Sequence, residues 1–592
     1  MQEKIKNLIN EVLKNLNIDS LAGGSDFVVE HPADLKMGDY ATNIAMVLSK
    51  SLKQNPREIA EKIVKEINLT TSPSLLGEGE IQKVEIAGAG FINFYLSKEF
   101  FANSIKEILE DENFGKNNLL EGKKVMVEYT QPNPFKPFHI GHLMSNSIGE
   151  SISRLVEYSG AKIIRANYQG DIGLHVAKAI YGLLEKGKPD ISLSVEVQAE
   201  YIGSCYSFAS KLYEEDEKIK IEIDKINKKI YEKNDEEINV LYKWGREVTL
   251  EAFETIYKKL GTKFDYYFFE SVMAPIGMQI IKENIPEIFE ESNGAIVFYA
   301  ESHDIKLHTR VFITSEDLPT YEAKEIGLTI TKFQKEDLDI SIVTTAIEQG
   351  EYMKVVQKAI SLIHPEYESK MKHITHGMIR FAEGKMSSRK GNVITGESLI
   401  KDVENAIFEK IKDRDFTEIE KKKVAIDVGV SALKYSILKQ AIGGDTIYDF
   451  EKSISFEGDS GPYMQYSYAR ARSLVGKAES QGIKKNTLLS SDMLSFDKKN
   501  ALFSSDWLVT DLEKMLYRFP EIVFRASKEF EPHYVANYLI ELSRIYNSFY
   551  GNTQIINKDD DSSPYKIALT SAFSVVMKNG LYLLGIEAPE KM

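Results

Sequence analysis

The sequence predicts a multidomain α/β chain with a doubly wound parallel sheet in its middle, a small α/β domain before the sheet and an all-helical region after it. Three observations carry this. Apolar strand runs, KVMVEY, KIIRANY, GAIVFY and ISIVTTA, alternate with helical periodicity between residues 120 and 395, as in parallel strands joined by crossover helices. Strand signals nearly vanish after 396, where VANYLIELSRIYNSFYGN and SAFSVVMKNGLYLLGI place apolar residues at helical spacing. The chain has 592 residues, too many for one hydrophobic core.

Taken in order, residues 1–110 form the first domain. It has an amphipathic helix at MQEKIKNLINEVLKNLNI, a second at NPREIAEKIVKEI and a strand pair in KVEIAGAGFINFYLS. The Gly- and Asn-rich stretch DENFGKNNLLEGKK is a linker. The sheet domain spans 120–395 and is interrupted at about 185–260. There the charged run KLYEEDEKIKIEIDKINKKIYEKNDEEINVLYKW reads as a solvated helical hairpin. A helical linker at 396–455 leads into a helical domain at 456–592.

Composition, 43% hydrophobic and 28% charged, is that of a soluble globular protein. The one cysteine, Cys205, excludes internal disulfides and a cysteine-built zinc site, and fits a reducing, cytoplasmic setting. No apolar run is long enough to span a membrane and the N-terminus is unlike a signal peptide. A net charge of −15 argues against non-specific coating of nucleic acid but leaves a specific RNA partner open.

The stretch EYTQPNPFKPFHIGHLMSNSIGES, residues 128–151, concentrates the chemistry. Pro132, Pro134 and Pro137 hold the chain extended after a buried strand, and a helix starts near Leu143. The first N–H groups of such a helix lack internal partners and attract anions, phosphates above all. His139 and His142 fall on one face of that first turn, and Gly141 leaves room for a flat group. Far downstream, GKMSSRKGN sets Lys385, Arg389 and Lys390 between Gly384 and Gly391, a basic loop suited to closing over phosphates.

The pair HIGH and KMSSR, in this order, resembles the two signatures of class I aminoacyl-tRNA synthetases, whose catalytic domain is Rossmann-like. Over nearly its full length the chain resembles the arginyl type. GDYATNIAM and VEIAGAGFINFYLS are similar to that family's additional N-terminal tRNA-binding domain. VEYTQPNPFKPFHIGH, ANYQGDIGLH and LPTYEAKEIGL are similar to its catalytic domain, and YMQYSYARARSL with LGIEAPEKM to its anticodon-binding bundle. Departures are Gln131 where serine is common, GDIG where GDWG is usual, and Glu325 where many members have aspartate.

The resemblance implies a reaction and a site. Arginine is activated by ATP to arginyl-adenylate and transferred to the terminal adenosine of the arginine tRNA. Mg2+ travels with ATP, and no dedicated protein metal site is expected. His139, His142, Lys136, Lys385 and Arg389 are the catalytic group, and Gly141, Met386, Ser387 and Ser388 join in holding ATP. For arginine, Glu270 and Glu325 take the guanidinium with Tyr321 beside it, since a carboxylate can pair with that planar group bidentately. Glu128 and Asn133 hold the α-amino end and Gln349 completes the pocket. Tyr468, Asn547 and Tyr550 are the expected RNA contacts, through stacking and edge hydrogen bonds. The protein is expected to be a cytoplasmic monomer.

Alternatives at this point are another class I synthetase, of cysteinyl or glutamyl type, a non-catalytic tRNA-binding paralogue, and a free-standing nucleotidylyltransferase. The absence of zinc-ligand cysteines weighs against the cysteinyl type, and the helical tail weighs against both synthetases and the last. Retention of His139, His142 and Lys385 weighs against a paralogue that has lost its phosphate-handling residues. Lys385→Ala is expected to slow adenylate formation by roughly ten- to a thousandfold, the scale of one lost charge stabiliser, with arginine affinity little changed. Single-turnover adenylate formation measures this, and wild-type rates would remove Lys385 from the phosphate site.

Overall fold

A computed structural model describes residues 1–18, 27–70, 80–382, 394–482 and 508–592. The chain divides into two compact units. The first comprises Met1–Phe114, Arg470–Pro520 and Glu541–Val576, and the second Gly115–Ala469, Glu521–Ile540 and Met577–Met592. The residues expected as one closing domain at 456–592 are thus distributed over both units.

In the first unit, α1 (Gln2–Asn15) turns Ile5, Leu8, Ile9, Val12 and Leu13 inward. This is the 3.6-residue stripe read from the sequence. It joins the helices α2 (Ile44–Leu52) and α3 (Pro56–Thr70) and an antiparallel sheet in the order β1 (Val29–Glu30), β2 (Tyr40–Thr42), β4 (Phe91–Leu96), β3 (Ile81–Ala87). Tyr517 is buried in the same core.

The second unit is built on a five-stranded, all-parallel sheet ordered β12 (Met371–His376), β11 (Ile340–Ala346), β5 (Lys124–Glu128), β6 (Lys162–Gln169), β7 (Tyr266–Phe269). From β5 the chain passes through α4 (Ile140–Tyr158) to β6, and from there through α5 (Leu174–Lys186) and the helices after it to β7, whereas β11 and β12 add on the other side of β5. The strand order therefore reverses between β5 and β11, and a crevice opens beyond their carboxyl ends, where doubly wound sheets bind ligands.

Two sequence expectations are corrected. GAIVFY is not a strand of the parallel sheet. It forms β9 (Ala295–Phe298), the centre of a three-stranded antiparallel sheet with β8 (Glu290–Ser292) and β10 (Arg310–Ile313). The reason is the two-residue turn Asn293-Gly294, both at positive φ, which suits a tight hairpin and forbids a crossover. The charged insertion is not a solvated hairpin either. It spans α6 (Val195–Glu215), α7 (Glu217–Glu232) and α8 (Glu236–Lys259), and buries Ile202, Cys205, Ile223, Ile226 and Ile230 in a core shared with Phe135, Val176, Ile180 and Leu183.

Two contacts position the site. Helices α9 (Glu270–Glu283) and α10 (Tyr321–Lys335) touch backbone to backbone. A Cβ on Gly277 would lie 1.8 Å from the Ala323 carbonyl oxygen, and one on Gly327 2.3 Å from that of Met273. At its far end α4 is tied to the C-terminal residues of the unit: Ser151 Oγ donates to the Leu583 carbonyl at 2.7 Å and Arg154 Nη1 to that of Tyr582 at 2.9 Å. Close by in sequence, the Gly585 carbonyl accepts from Lys434 Nζ at 2.7 Å.

Gly327→Ala is expected to cost about 1 to 3 kcal/mol, because the added methyl forces two packed helices apart. Gly476→Ala, at an exposed helical glycine with open space around it, should be neutral or raise stability by up to about 1 kcal/mol. Denaturant unfolding of the two variants measures the contrast, and equal stabilities would contradict the close α9–α10 contact.

Candidate active site

Beyond the carboxyl ends of β5 and β11 lies a cleft of about 510 Å³. His139, Gly141, His142, Asn133, Tyr168, Glu270, Tyr321, Glu325, Gln349 and His376 are among its lining residues. It thus brings together most of the expected nucleotide and arginine residues. Lys385, Met386, Ser387, Ser388 and Arg389 lie outside the described residues.

His139 is the N-cap of α4, with extended backbone (φ −93°, ψ 168°). Its Nδ1 accepts from the Gly141 N–H at 3.1 Å, and His142 Nδ1 accepts from the His139 N–H at 3.2 Å. The imidazoles stack with centroids 3.4 Å apart. A Cβ on residue 141 would stand 3.0 Å from the His139 ring, so the flat group that needs Gly141 is that ring. Burial, then the Lys136 ammonium, pushes His139 down to about 4. Burial, then His139, pushes His142 well below its ordinary value. Both rings are therefore neutral at physiological pH. With each Nδ1 accepting, each proton sits on Nε2, which makes two N–H donors of fixed tautomer. The ammonium of Lys136 lies 5.4 Å from the Tyr206 ring centroid.

Charge is concentrated at Glu270 and Glu325, the two residues expected to take a guanidinium. Glu270 opens α9 and its Oε2 accepts from Lys324 Nζ at 2.6 Å. Burial raises its carboxyl above the ordinary range. Glu325 is 5% exposed, and its Oε1 has no hydrogen-bond partner among the described residues. Burial first, then the neighbouring Glu128, pushes its carboxyl up to about 8. Asn133 Oδ1 accepts from the Gly170 N–H at 3.1 Å, and Tyr321, 68% exposed, stands at the start of α10.

Two expectations change. Glu128 does not line the cleft. Its Oε2 accepts from the fully buried Lys332 at 2.8 Å and its Oε1 from Gln131 Nε2 at 2.7 Å, so both oxygens are engaged away from a ligand. Tyr468 is 2% exposed, so its ring cannot stack on a base as expected. In the first unit, Arg470 donates to Asn547 Oδ1 and its guanidinium lies 4.8 Å from the ring centroid of the exposed Tyr550.

Sequence reasoning missed Tyr168, His376, Lys324, Lys332 and Arg470. Tyr168 stands in the quoted stretch ANYQGDIGLH, and its buried hydroxyl has no partner among the described residues. Arg470 stands in YSYARAR, where interleaved aromatic and basic residues were the available signal. For the others no local pattern points to the role.

Residues 3–96 match the family described as Arginyl tRNA synthetase N terminal domain, 104–450 that of tRNA synthetases class I (R), catalytic domain, and 464–592 the DALR anticodon binding domain. The arginine–tRNA ligase of Fusobacterium nucleatum is 32% identical over 603 residues, covering 100% of this chain and 98% of the relative. That of Lactobacillus johnsonii is 31% identical, with 100% of both covered. The solved structure of the Thermus thermophilus arginyl-tRNA synthetase has the same fold, with a TM-score of 0.77 at 22% identity over 100% of both chains.

The Glu325 carboxyl makes stability depend on pH in a definite sense. The unfolded chain releases this proton near 4.5 and the folded chain near 8. Between those values the folded state holds the extra proton, so this residue's contribution falls as pH rises, and the loss is complete above about 8. Glu325→Gln should therefore melt close to wild type at pH 5 and above it at pH 8. Melting curves across this range test it, and a gap independent of pH would show that Glu325 ionises like an exposed carboxylate.

Proposed function

This chain belongs to the class I arginyl-tRNA synthetases, and on that premise we propose how its cleft divides the work between ATP, arginine and tRNA. As an arginine–tRNA ligase it uses ATP to activate arginine and transfers the arginyl group to tRNA. The ATP phosphates lie against the Nε2–H groups of His139 and His142 and the N-terminus of α4. An arginine carboxylate oxygen bonds to the α-phosphorus, and the bond to the bridging oxygen of pyrophosphate breaks. Negative charge gathers on the α-phosphoryl oxygens and on the leaving group, where two fixed donors, Lys136, Lys385 and Arg389 stabilise it. The tRNA's terminal ribose hydroxyl then attacks the arginyl carbonyl carbon and AMP leaves. Mg2+ arrives on the ATP phosphates, and the reading includes a cytoplasmic monomer.

Arginine enters guanidinium first. Glu325 takes it, helped by Glu270 and flanked by Tyr321, while Asn133 and Gln349 hold the α-amino end. Glu128 acts from behind, holding Lys332 and Gln131. On the RNA side Arg470, Asn547 and Tyr550 supply a cation, an amide and an exposed ring. The observation that supports this assignment best is the buried Glu325 oxygen without a partner among the described residues, a cost the fold bears unless a cationic donor arrives.

Glu325→Gln is expected to weaken arginine binding by about 2 to 5 kcal/mol, because a buried guanidinium loses its charged partner, while the KM for ATP stays within about twofold. Pairing needs the ionised carboxylate, so wild-type affinity should rise with pH up to about 8, with a proton released on binding, and the variant should be flat. Calorimetry of arginine binding at several pH values reads both, and unchanged affinity in the variant would exclude Glu325 from the arginine pocket.

A further inference from the structure

His376 closes β12 beside Ala346 of β11, at the carboxyl end of the sheet where the cleft opens. It is 2% exposed, and its Nδ1 lies 2.8 Å from the carbonyl oxygen of Gly377. A carbonyl oxygen only accepts, so Nδ1 carries the proton and donates it. Burial pushes the imidazole's pKa down, against the opposing effect of that bond, and the ring is neutral. A neutral ring protonated on Nδ1 has a bare lone pair on Nε2. That atom has no partner among the described residues.

His139 and His142 are the opposite tautomer, since their Nδ1 atoms accept from backbone N–H groups. One cleft therefore contains two imidazole donors and one imidazole acceptor. Phosphate oxygens accept only, so they suit the first two and not the third. Arginine offers donors, but the unpaired carboxylate that suits it neighbours Glu128 of β5 and Glu270 after β7, whereas His376 stands across β5 on β12. Among the reactants of arginine activation, ATP and arginine, the remaining donors belong to the nucleoside of ATP.

We propose that His376 is a specificity residue that accepts, through Nε2, a hydrogen bond from the nucleoside of ATP, either from the exocyclic amine of the base or from a ribose hydroxyl. This rests on the reading of the cleft as the ATP site. The bond discriminates because an analogue lacking the donor leaves a buried acceptor unpaired.

The experiment compares ATP with purine riboside triphosphate, 2′-deoxy-ATP and 3′-deoxy-ATP in tRNA charging by wild type, His376→Phe and His376→Gln. Phenylalanine keeps the ring's bulk without an acceptor. Glutamine keeps an N–H for Gly377 and an acceptor oxygen. Wild type should show a KM about tenfold higher for one analogue than for ATP, and which analogue it is separates base from ribose. His376→Phe should lose that preference with the KM for arginine unchanged, and His376→Gln should restore it in part. Undiminished preference in His376→Phe, or a KM for arginine that rises in step with that for ATP, overturns the proposal. An ATP KM unmoved in a His139→Ala, His142→Ala double variant would instead remove the ATP reading of the cleft, and the proposal with it.

Discussion

Among the described residues, the cluster of Glu128, Glu270 and Glu325 is one cation short, and much of the site follows from that imbalance. Three carboxylates, Glu128, Glu270 and Glu325, face or adjoin the arginine side, and two resident ammonium groups answer them: Lys332 at Glu128 and Lys324 at Glu270. Buried charges are tolerated when paired and costly when not. In the proposed reading the third carboxylate, Glu325, is left for the substrate. Helix α10 delivers Lys324, Glu325 and Lys332, and it can do so only because Gly277 and Gly327 let it lie directly on α9, whose first residue is Glu270. A side chain at either glycine would press on the backbone of the facing helix, at Ala323 next to Lys324 or at Met273 in the first turn after Glu270.

The same imbalance bears on discrimination between amino acids. A citrulline side chain brings no charge, so it would leave Glu325 either buried as an anion or protonated, and neither state repays the burial. A lysine brings charge in a compact head that cannot present a planar fork. On the proposed reading, selectivity in this pocket is electrostatic first and geometric second.

The parallel sheet was legible because strands buried on both faces read as unbroken apolar runs, and KVMVEY and ISIVTTA are such runs. The nucleotide end was legible for a local reason as well: prolines, histidines and a glycine at a strand-to-helix junction have few other uses. GAIVFY misled because its apolar run resembles a parallel strand, while the decisive signal was the pairing of its own first residue, Gly294, with the Asn293 just before it. Glu128 misled because its partner Lys332 is 204 positions away. No spacing rule reaches that far. The tautomers of His139, His142 and His376 depend on which backbone group each Nδ1 meets, which only the fold decides.

Helix α4 begins with the two stacked histidines and ends tied to carbonyls at 582 and 583, across sequence separations of 428 and 432. Consider what this means for a chain emerging from the ribosome. The strands of the parallel sheet are all delivered by residue 376, and the sheet can assemble from them. Contacts this distant in sequence close late, after a large loss of chain entropy. The helix that carries the nucleotide donors therefore receives its last hydrogen bonds only when synthesis has passed residue 583, so an incompletely made chain can build its sheet while that helix still lacks its anchors.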